Sequence, residues 1–382
     1  MLDKSVELLG VGDISLSMKN AERIFSKVSP VLRSADVVIG QLETLCTLRS
    51  VNTGVWGVIG HPNGFPKGCD PKNLDALRSA GFNVIHLAGN KIWDAGAPGI
   101  EDTIKGLRSL GIAPVGAGMN LDEATAPVVI ERKGTKIGIL SYNCVGPKET
   151  WANPSKPGCA WVRIVTAYEM DHPTPGANPT IYTFPDPDSL KAMISDVCKL
   201  RDVCDVLVVH FHKGIGLTPI KLAMYEQMVS YAAIDAGADL ILAEHAHLLR
   251  GIEQYKHKLI FHGLATFADP PVTPTKRPEW IVQQQQRIFK DSFGIEMSEY
   301  LSFPKMPDSN LTIIAKCMIE NGKITRVSFL PCILDNLGQP KILKHDKRGQ
   351  QVFDYMNKIT KAAGLNAQYQ WEGDEVVVNF KQ

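Results

Sequence analysis

Residues 237–251, GADLILAEHAHLLRG, set two histidines, His245 and His247, directly after an apolar run. The run is short and continuous and follows a glycine, the pattern of a strand buried on both faces rather than of an amphipathic helix. A buried strand that ends in imidazoles points to a sheet whose strand tips carry chemistry. In an extended segment residues two apart point to the same side, so His245 and His247 are expected to face one cavity.

The same grammar recurs outward from this stretch. GVGDIS ends a strand-like run in Asp13, VVIGQLET carries Glu43, LAGNKIWDAG carries Asn90, and VVHFHKG carries His210 and His212. Helix-like segments separate these runs: NAERIFSKVSPVLRSA, PKNLDALRSAG with Gly81 as its stop, GIEDTIKGLRSLG, DPDSLKAMISDVCKLRDV with Asp188 or Ser189 as N-cap, and IKLAMYEQMVSYAAIDAG. APVVIERKGTKIGILSYN reads as a hairpin turning at Lys133-Gly134-Thr135. The alternation predicts an α/β fold with a mixed sheet. Loops at the carboxyl edge of a parallel sheet converge and bind ligands there. Carboxylates, imidazoles and an amide oxygen gathered at that edge suit Mn²⁺, Zn²⁺ or Fe²⁺. Two ions about 3.5–4 Å apart would need a bridging carboxylate and several histidines.

Composition narrows the function classes. The chain has 382 residues, 44% of them hydrophobic, enough to bury a sizeable core. A net charge of +1 with scattered Lys and Arg gives no field for nucleic acid or an anionic membrane. No stretch approaches the ~20 apolar residues of a membrane span, and MLDKSVELLGVGD lacks a leader pattern, so a cytoplasmic protein is expected. The eight cysteines form no CxxC pair, and reduced, mostly buried thiols are expected. Two segments break the rhythm, 147–187 with its Pro, Gly, Trp and Tyr and 269–309 with Pro270, Pro271, Pro274, Pro278 and the run QQQQ. Loops of such length serve as lids or binding loops. Trp151, Trp161, Tyr168 and Tyr182 in the first would suit a substrate with apolar or aromatic parts.

The order and surroundings of GVGDIS, VVIGQLET, VIHLAGNKIWDAGAPGIEDTIKGLRSLGIAPVGAG, VLVVHFHKG and GADLILAEHAHLLRGIEQYKHKLIFHGLATF resemble the CapA family of poly-γ-glutamate capsule synthesis proteins, in the calcineurin-like metallophosphoesterase superfamily. The resemblance covers about residues 5 to 268. It implies a four-layer α/β/β/α sandwich with mixed sheets and a two-metal site at one sheet edge. The domain expected on this basis is 1–335, with inserts at about 147–187 and 269–309, followed by a helix-strand appendage at 336–382. Carried onto this chain, the metal ligands are Asp13, Glu43, Asn90, His212, His245 and His247. Asp13, Glu43 and His247 would hold one ion; Glu43, Asn90, His212 and His245 the other, with Glu43 bridging. His210 is assigned either a supporting role behind the ligands or that of a satisfied core histidine, His86 that of a satisfied core histidine, and His61 one chance in three of reaching the pocket.

The chain departs from the family pattern where catalysis is decided. The histidine that usually follows the ligand asparagine is Lys91 here, and Asp94 is placed to orient it. Gln41, His262 and Thr266 also replace the usual Asn, Tyr and Asn. A lysine supplies charge and a hydrogen bond but is a poorer proton donor unless burial lowers its pKa. The expected function is a metal-dependent hydrolase in which a two-metal-bound hydroxide attacks an amide, lactam or ester bond of a small or medium organic substrate. A phosphoesterase is the alternative, and a non-catalytic component of poly-γ-glutamate-type polymer synthesis the second. The partner expected is a small-molecule substrate, with no nucleic acid and no membrane; a homo-oligomer is left open.

Overall fold

Strand Val6–Ile14 is buried along almost its whole length and lies in the middle of a large mixed sheet. It pairs in parallel with Val37–Leu42, which pairs with Val84–His86 and then Ala113–Val115; on its other edge it pairs antiparallel with Leu311–Glu320, followed by Lys323–Leu334. The computed structural model describes residues 5–19, 21–51, 53, 68–170, 180–270 and 308–379. A second sheet has a parallel centre, Thr135–Asn143, Val206–His212, Leu240–Glu244 and Lys258–Phe261, with Val128–Arg132 and Ile252–Tyr255 antiparallel at its edges.

Side-chain alternation stacks these sheets into four layers. Leu9, Val11, Val38 and Ile85 leave one face of the large sheet and pack on Leu32, Leu77 and Ile104, from the helices Ser29–Ser34, Asp75–Ala80 and Gly96–Ser109. Leu8, Val37, Ile39 and Val84 leave the other face and meet Ile139, Val208 and Leu242 of the second sheet. Leu140, Val209 and Ile241 then face Met193, Val197, Val229 and Ala233, from the helices Pro187–Arg201 and Met224–Asp235. The order is α/β/β/α, as expected. Burying each such side chain contributes on the order of 1.5–3 kcal/mol, so the central strands of both sheets are held on two sides.

Local signals resolve as follows. Gly81 ends its helix with φ 101°, a region that favours glycine. Lys133 and Gly134, with φ 51° and 82°, close the hairpin. The long helix begins at Pro187 with Asp186 as N-cap, its side chain accepting from Ser189 N. That corrects the expected cap at Asp188 or Ser189: proline at the first helical position moves the start upstream. The 147–187 segment holds an antiparallel pair, Ile164–Glu169 with Thr180–Pro185, and a stacked Trp151–Trp161 pair with ring centroids 4.6 Å apart. Most of 269–309 lies outside the described residues, as do His61 and His172. Cys46 and Cys69 are joined as a disulfide, whereas the other six cysteines are free and four of them buried, so the expectation of reduced, mostly buried thiols fails at that one pair.

The C-terminal segment forms the helix Lys347–Ala362 and two strands, Gln368–Glu372 and Glu375–Asn379, where one strand was expected. Val352, Met356 and Ile359 of the helix enter the core between the sheets, and Glu375–Asn379 pairs with Lys323–Leu334. Among the described residues, no helix is long and apolar enough to cross a membrane.

The chain crosses from one sheet to the other between Phe261 and Thr266. Lys258–Phe261 belongs to the second sheet, whereas Thr266–Ala268 pairs in parallel with Val6–Ile14, Thr266 opposite Asp13. Leu264 N donates to Ala243 O (2.8 Å) and Asp13 N to Ala265 O (3.0 Å), so the crossing is tied to both sheets. At Gly12 a Cβ would lie 1.9 Å from Ala265 O, so only glycine admits this approach.

Candidate metal centre

The six expected ligands come from both sheets. Asp13 ends Val6–Ile14, Glu43 follows Val37–Leu42, and Asn90 follows Val84–His86, all in the large sheet. His212 ends Val206–His212, and His245 and His247 follow Leu240–Glu244, all in the second sheet. Ligand-type atoms of Asp13, Glu43 and His212 lie within 4.8 Å of one another. His247 Nδ1 is 3.5 Å from Asp13 Oδ2, and its Nε2 is 3.8 Å from Glu43 Oε1. His212 Nε2 is 3.1 Å from Asn90 Oδ1 and 3.1 Å from His245 Nδ1.

The two strand-end histidines reach this cluster by a different route from the one expected. His245 and His247 have φ 105° and 55°, so the segment turns instead of running extended. Their rings are tilted by 46° with centroids 6.4 Å apart. His245 turns toward His212 and His247 toward Asp13 and Glu43. Backbone in the left-handed region costs energy for a non-glycine residue and persists where the surroundings over-determine it. Thr266 Oγ1, 3.0 Å from His247 Nδ1, is one such constraint.

The electrostatics of the cluster suit cations. Burial pushes the Asp13 carboxyl well above the usual carboxylate range, with Glu43 adding to the effect. Burial would also raise Glu43, but Lys91 and then His247 carry it below that range. Burial lowers His212, His245 and His247, which favours the neutral imidazole with a lone pair for a ligand. Among the described residues, the buried atoms Asp13 Oδ1 and Glu43 Oε1 have no hydrogen-bond partner. Buried polar atoms are rarely left so, and the donor types fit a divalent ion.

Lys91 and Asp94 sit beside the cluster. Lys91 Nζ donates to Glu43 Oε2 at 2.9 Å. Burial would depress the ammonium, but Glu43 outweighs it, with Asp13 and Asp94 adding, and the group stays above its ordinary value. Lys91 is therefore a fixed positive charge and a weak acid at neutral pH. Asp94 N also donates to Lys91 O (3.0 Å), which closes the turn carrying both residues.

Three residues that sequence reasoning left out belong to this region. Glu244 Oε1 is 2.9 Å from His212 Nδ1, and Glu244 Oε2 is 2.5 Å from His210 Nε2, in an orientation that makes no hydrogen bond. Asp269, half-buried, is pushed up to about 6 by desolvation, with Lys91 opposing and Glu43 adding. Lys213 Nζ, fully buried, donates to Glu226 O (2.9 Å) and Ser230 Oγ (2.8 Å) and lies 3.1 Å from His262 Nδ1. The adjacency of Glu244 to His245 was the one signal for the first. Among the described residues neither ring nitrogen of buried His86 finds a hydrogen-bond partner, and the ring stacks 3.7 Å from His210, which corrects its reading as a satisfied core histidine.

Residues 7–270 match the model of the family described as bacterial capsule synthesis protein PGA_cap. The capsule biosynthesis protein CapA of Bacillus anthracis is 26% identical over 258 residues, covering 66% of this chain and 55% of that protein. The PGA biosynthesis protein CapA of Bacillus subtilis is 27% identical over 340 residues, covering 82% and 80%. A calcineurin-like phosphoesterase, YfkN of Bacillus subtilis, superposes with a TM-score of 0.40 at 13% identity, covering 94% of this chain and 97% of that one. The family match spans the whole stretch from the first strand to the sheet crossing, every proposed ligand included, and this chain is a member of the PGA_cap family.

Proposed function

We propose that the protein is a metal-dependent hydrolase acting on an amide, lactam or ester bond of a small or medium organic substrate. Two divalent ions, Mn²⁺ or Zn²⁺ first and Fe²⁺ next, are assigned to Asp13, Glu43 and His247 on one side and to Glu43, Asn90, His212 and His245 on the other. The observation that carries this reading is the meeting of Asp13, Glu43 and His212 ligand atoms within 4.8 Å, from three strand ends on two sheets.

Bound divalent ions supply an acidified water and neutralise charge that develops on the substrate oxygen. The protein groups do the rest. Lys91, held cationic by Glu43, adds a positive charge at the rim where an oxyanion forms. Asp94 steadies that ammonium. Neutral His245 and His247 present lone pairs, and Thr266 fixes the His247 ring.

Two features favour a carbon centre over a phosphate. Arg250, the one arginine in the ligand-bearing segments, is fully buried and committed to Glu226 at 2.5 Å and to Lys221 O. Asp269 adds a carboxyl beside Lys91 and Glu43, which opposes a dianionic substrate. The relative named for PGA biosynthesis points the substrate class toward γ-glutamyl-type amides. The test is metal analysis of the purified protein, followed by activity with Mn²⁺ or Zn²⁺ on panels of γ-glutamyl amides, lactams, esters and phosphate esters. About two ions per chain with turnover of a C–N or ester panel is expected; turnover of phosphate esters alone would replace this reading with a phosphoesterase.

A further inference from the structure

Glu244 and His210 form a buried assembly with no role in the ligand set. Both side chains are at most 1% exposed, and they sit behind the centre, between the two sheets. Their placement follows from strand register. In the parallel pair of Val206–His212 with Leu240–Glu244, His212 lies opposite Glu244, and His210 lies two residues back on the same face. One carboxyl group therefore meets both rings. His86, from the large sheet, stacks on the far side of His210 with ring planes 14° apart.

We infer that Glu244 is a positioning residue for the metal centre: its Oε1 accepts from His212 Nδ1–H and so turns the lone pair of His212 Nε2 toward the ion shared with Asn90 and His245. Three distances carry this. Glu244 Oε1 lies 2.9 Å from Nδ1, within reach for Nδ1–H to donate to the ionised carboxylate that a nearby cation favours. Nε2 then has no proton, yet it lies 3.1 Å from Asn90 Oδ1, an acceptor, and 3.1 Å from His245 Nδ1. An unprotonated Nε2 and Asn90 Oδ1 are both acceptors, and a cation between them would reconcile their approach. Behind Glu244, its Oε2 lies 2.5 Å from His210 Nε2 in an orientation that makes no hydrogen bond, and His210 is backed by His86. With one oxygen on His212 and the other against His210, Glu244 is not itself a ligand. A ligand histidine whose other nitrogen is bound to a carboxylate is a recurring device, and losing the carboxylate typically costs 10–100-fold in metal affinity.

The inference rests on the metal-centre reading, and the experiment separates the two. Metal-free protein labelled with ¹⁵N in histidine reports the His212 tautomer by NMR, and Mn²⁺ titration reports affinity and stoichiometry. Wild type should show His212 as the Nδ1–H tautomer and bind about two ions. Glu244→Ala should keep the stoichiometry, weaken Mn²⁺ about 10–100-fold and lose the single tautomer. Glu244→Gln, whose amide oxygen still accepts from Nδ1–H, should recover most of the affinity, and it is read alone if the alanine variant fails to fold. Wild-type affinity in both variants, an Nε2–H tautomer in wild type, or loss of an ion in Glu244→Gln each overturns the inference. Failure of wild type to bind Mn²⁺ overturns the centre itself, and the inference with it.

Discussion

Lys91 Nζ and Glu43 Oε2 form a 2.9 Å ion pair at the rim of the centre, joining the residue proposed to bridge two ions to the one cation proposed to act beside them. The pair makes Lys91 an electrostatic group and removes it as a proton donor near neutral pH. Lys91→Ala is expected to retain about two ions per chain and to lose about 10²–10³-fold in turnover on the substrate that the panels identify. Metal content and kcat measured on one preparation check this. Normal turnover would end the assigned role.

Glu43 and His247 meet across the sheets, and Asp13 faces the same space. Glu43→Ala removes the only carboxylate assigned to both ions and should leave fewer than one ion per chain, with activity lost in parallel. His247→Ala should release the ion shared with Asp13 and leave the other. Elemental analysis after dialysis distinguishes these outcomes, and full metal content in Glu43→Ala would refute the bridging assignment.

Gly12 lies where the sheet crossing touches the first strand. In Gly12→Ala the new methyl would collide with the Ala265 carbonyl, a backbone atom that cannot swing aside. A loss of about 2–4 kcal/mol is expected, at the upper end of overpacking costs. Urea unfolding reads it directly. Because Asp13 is the next residue, the surviving folded fraction should also bind Mn²⁺ more weakly.

His262 is buried between Lys213 and Glu253, and burial, with Lys213 adding, lowers it from 6.5 to about 4. A base depressed in the folded state contributes stability at pH above 6.5 and loses it as pH falls toward 4, because the unfolded chain binds the proton first. The contribution is about 3 kcal/mol at most, from about 1.4 kcal/mol for each unit. Urea unfolding in EDTA at pH 7, 6, 5 and 4 should show this slope, and His262→Gln should reduce it by about one proton. An unchanged slope would show that His262 does not titrate in this window.

Much of the architecture was legible because strands buried on both faces read as continuous apolar runs and their polar ends stand out. Asp13, Glu43, Asn90, His212, His245 and His247 were visible for that reason, and the structure brings them to one rim. Other features left weaker traces. Gln368–Glu372 alternates polar residues on an edge and shows no apolar run. Asp186 precedes a proline, which moves a cap that Asp188 and Ser189 suggested equally well. Glu244 reads as a strand residue whose partner, His212, lies 32 positions away, and only register reveals the pair. The turn at His245 and His247 is set by tertiary contacts, which two-residue spacing along an extended strand does not carry.

The crossing between Phe261 and Thr266 has one further consequence. Three proposed ligands ride on each sheet, and this short bridge is anchored on both sides within hydrogen-bonding distance of the first strand and of Ala243. Sliding one sheet past the other would change the span between ligand halves, and the bridge blocks that shear at the rim where it matters. The tolerance of the site is thus a backbone property, and a different metal radius has to be met by side-chain rotation alone.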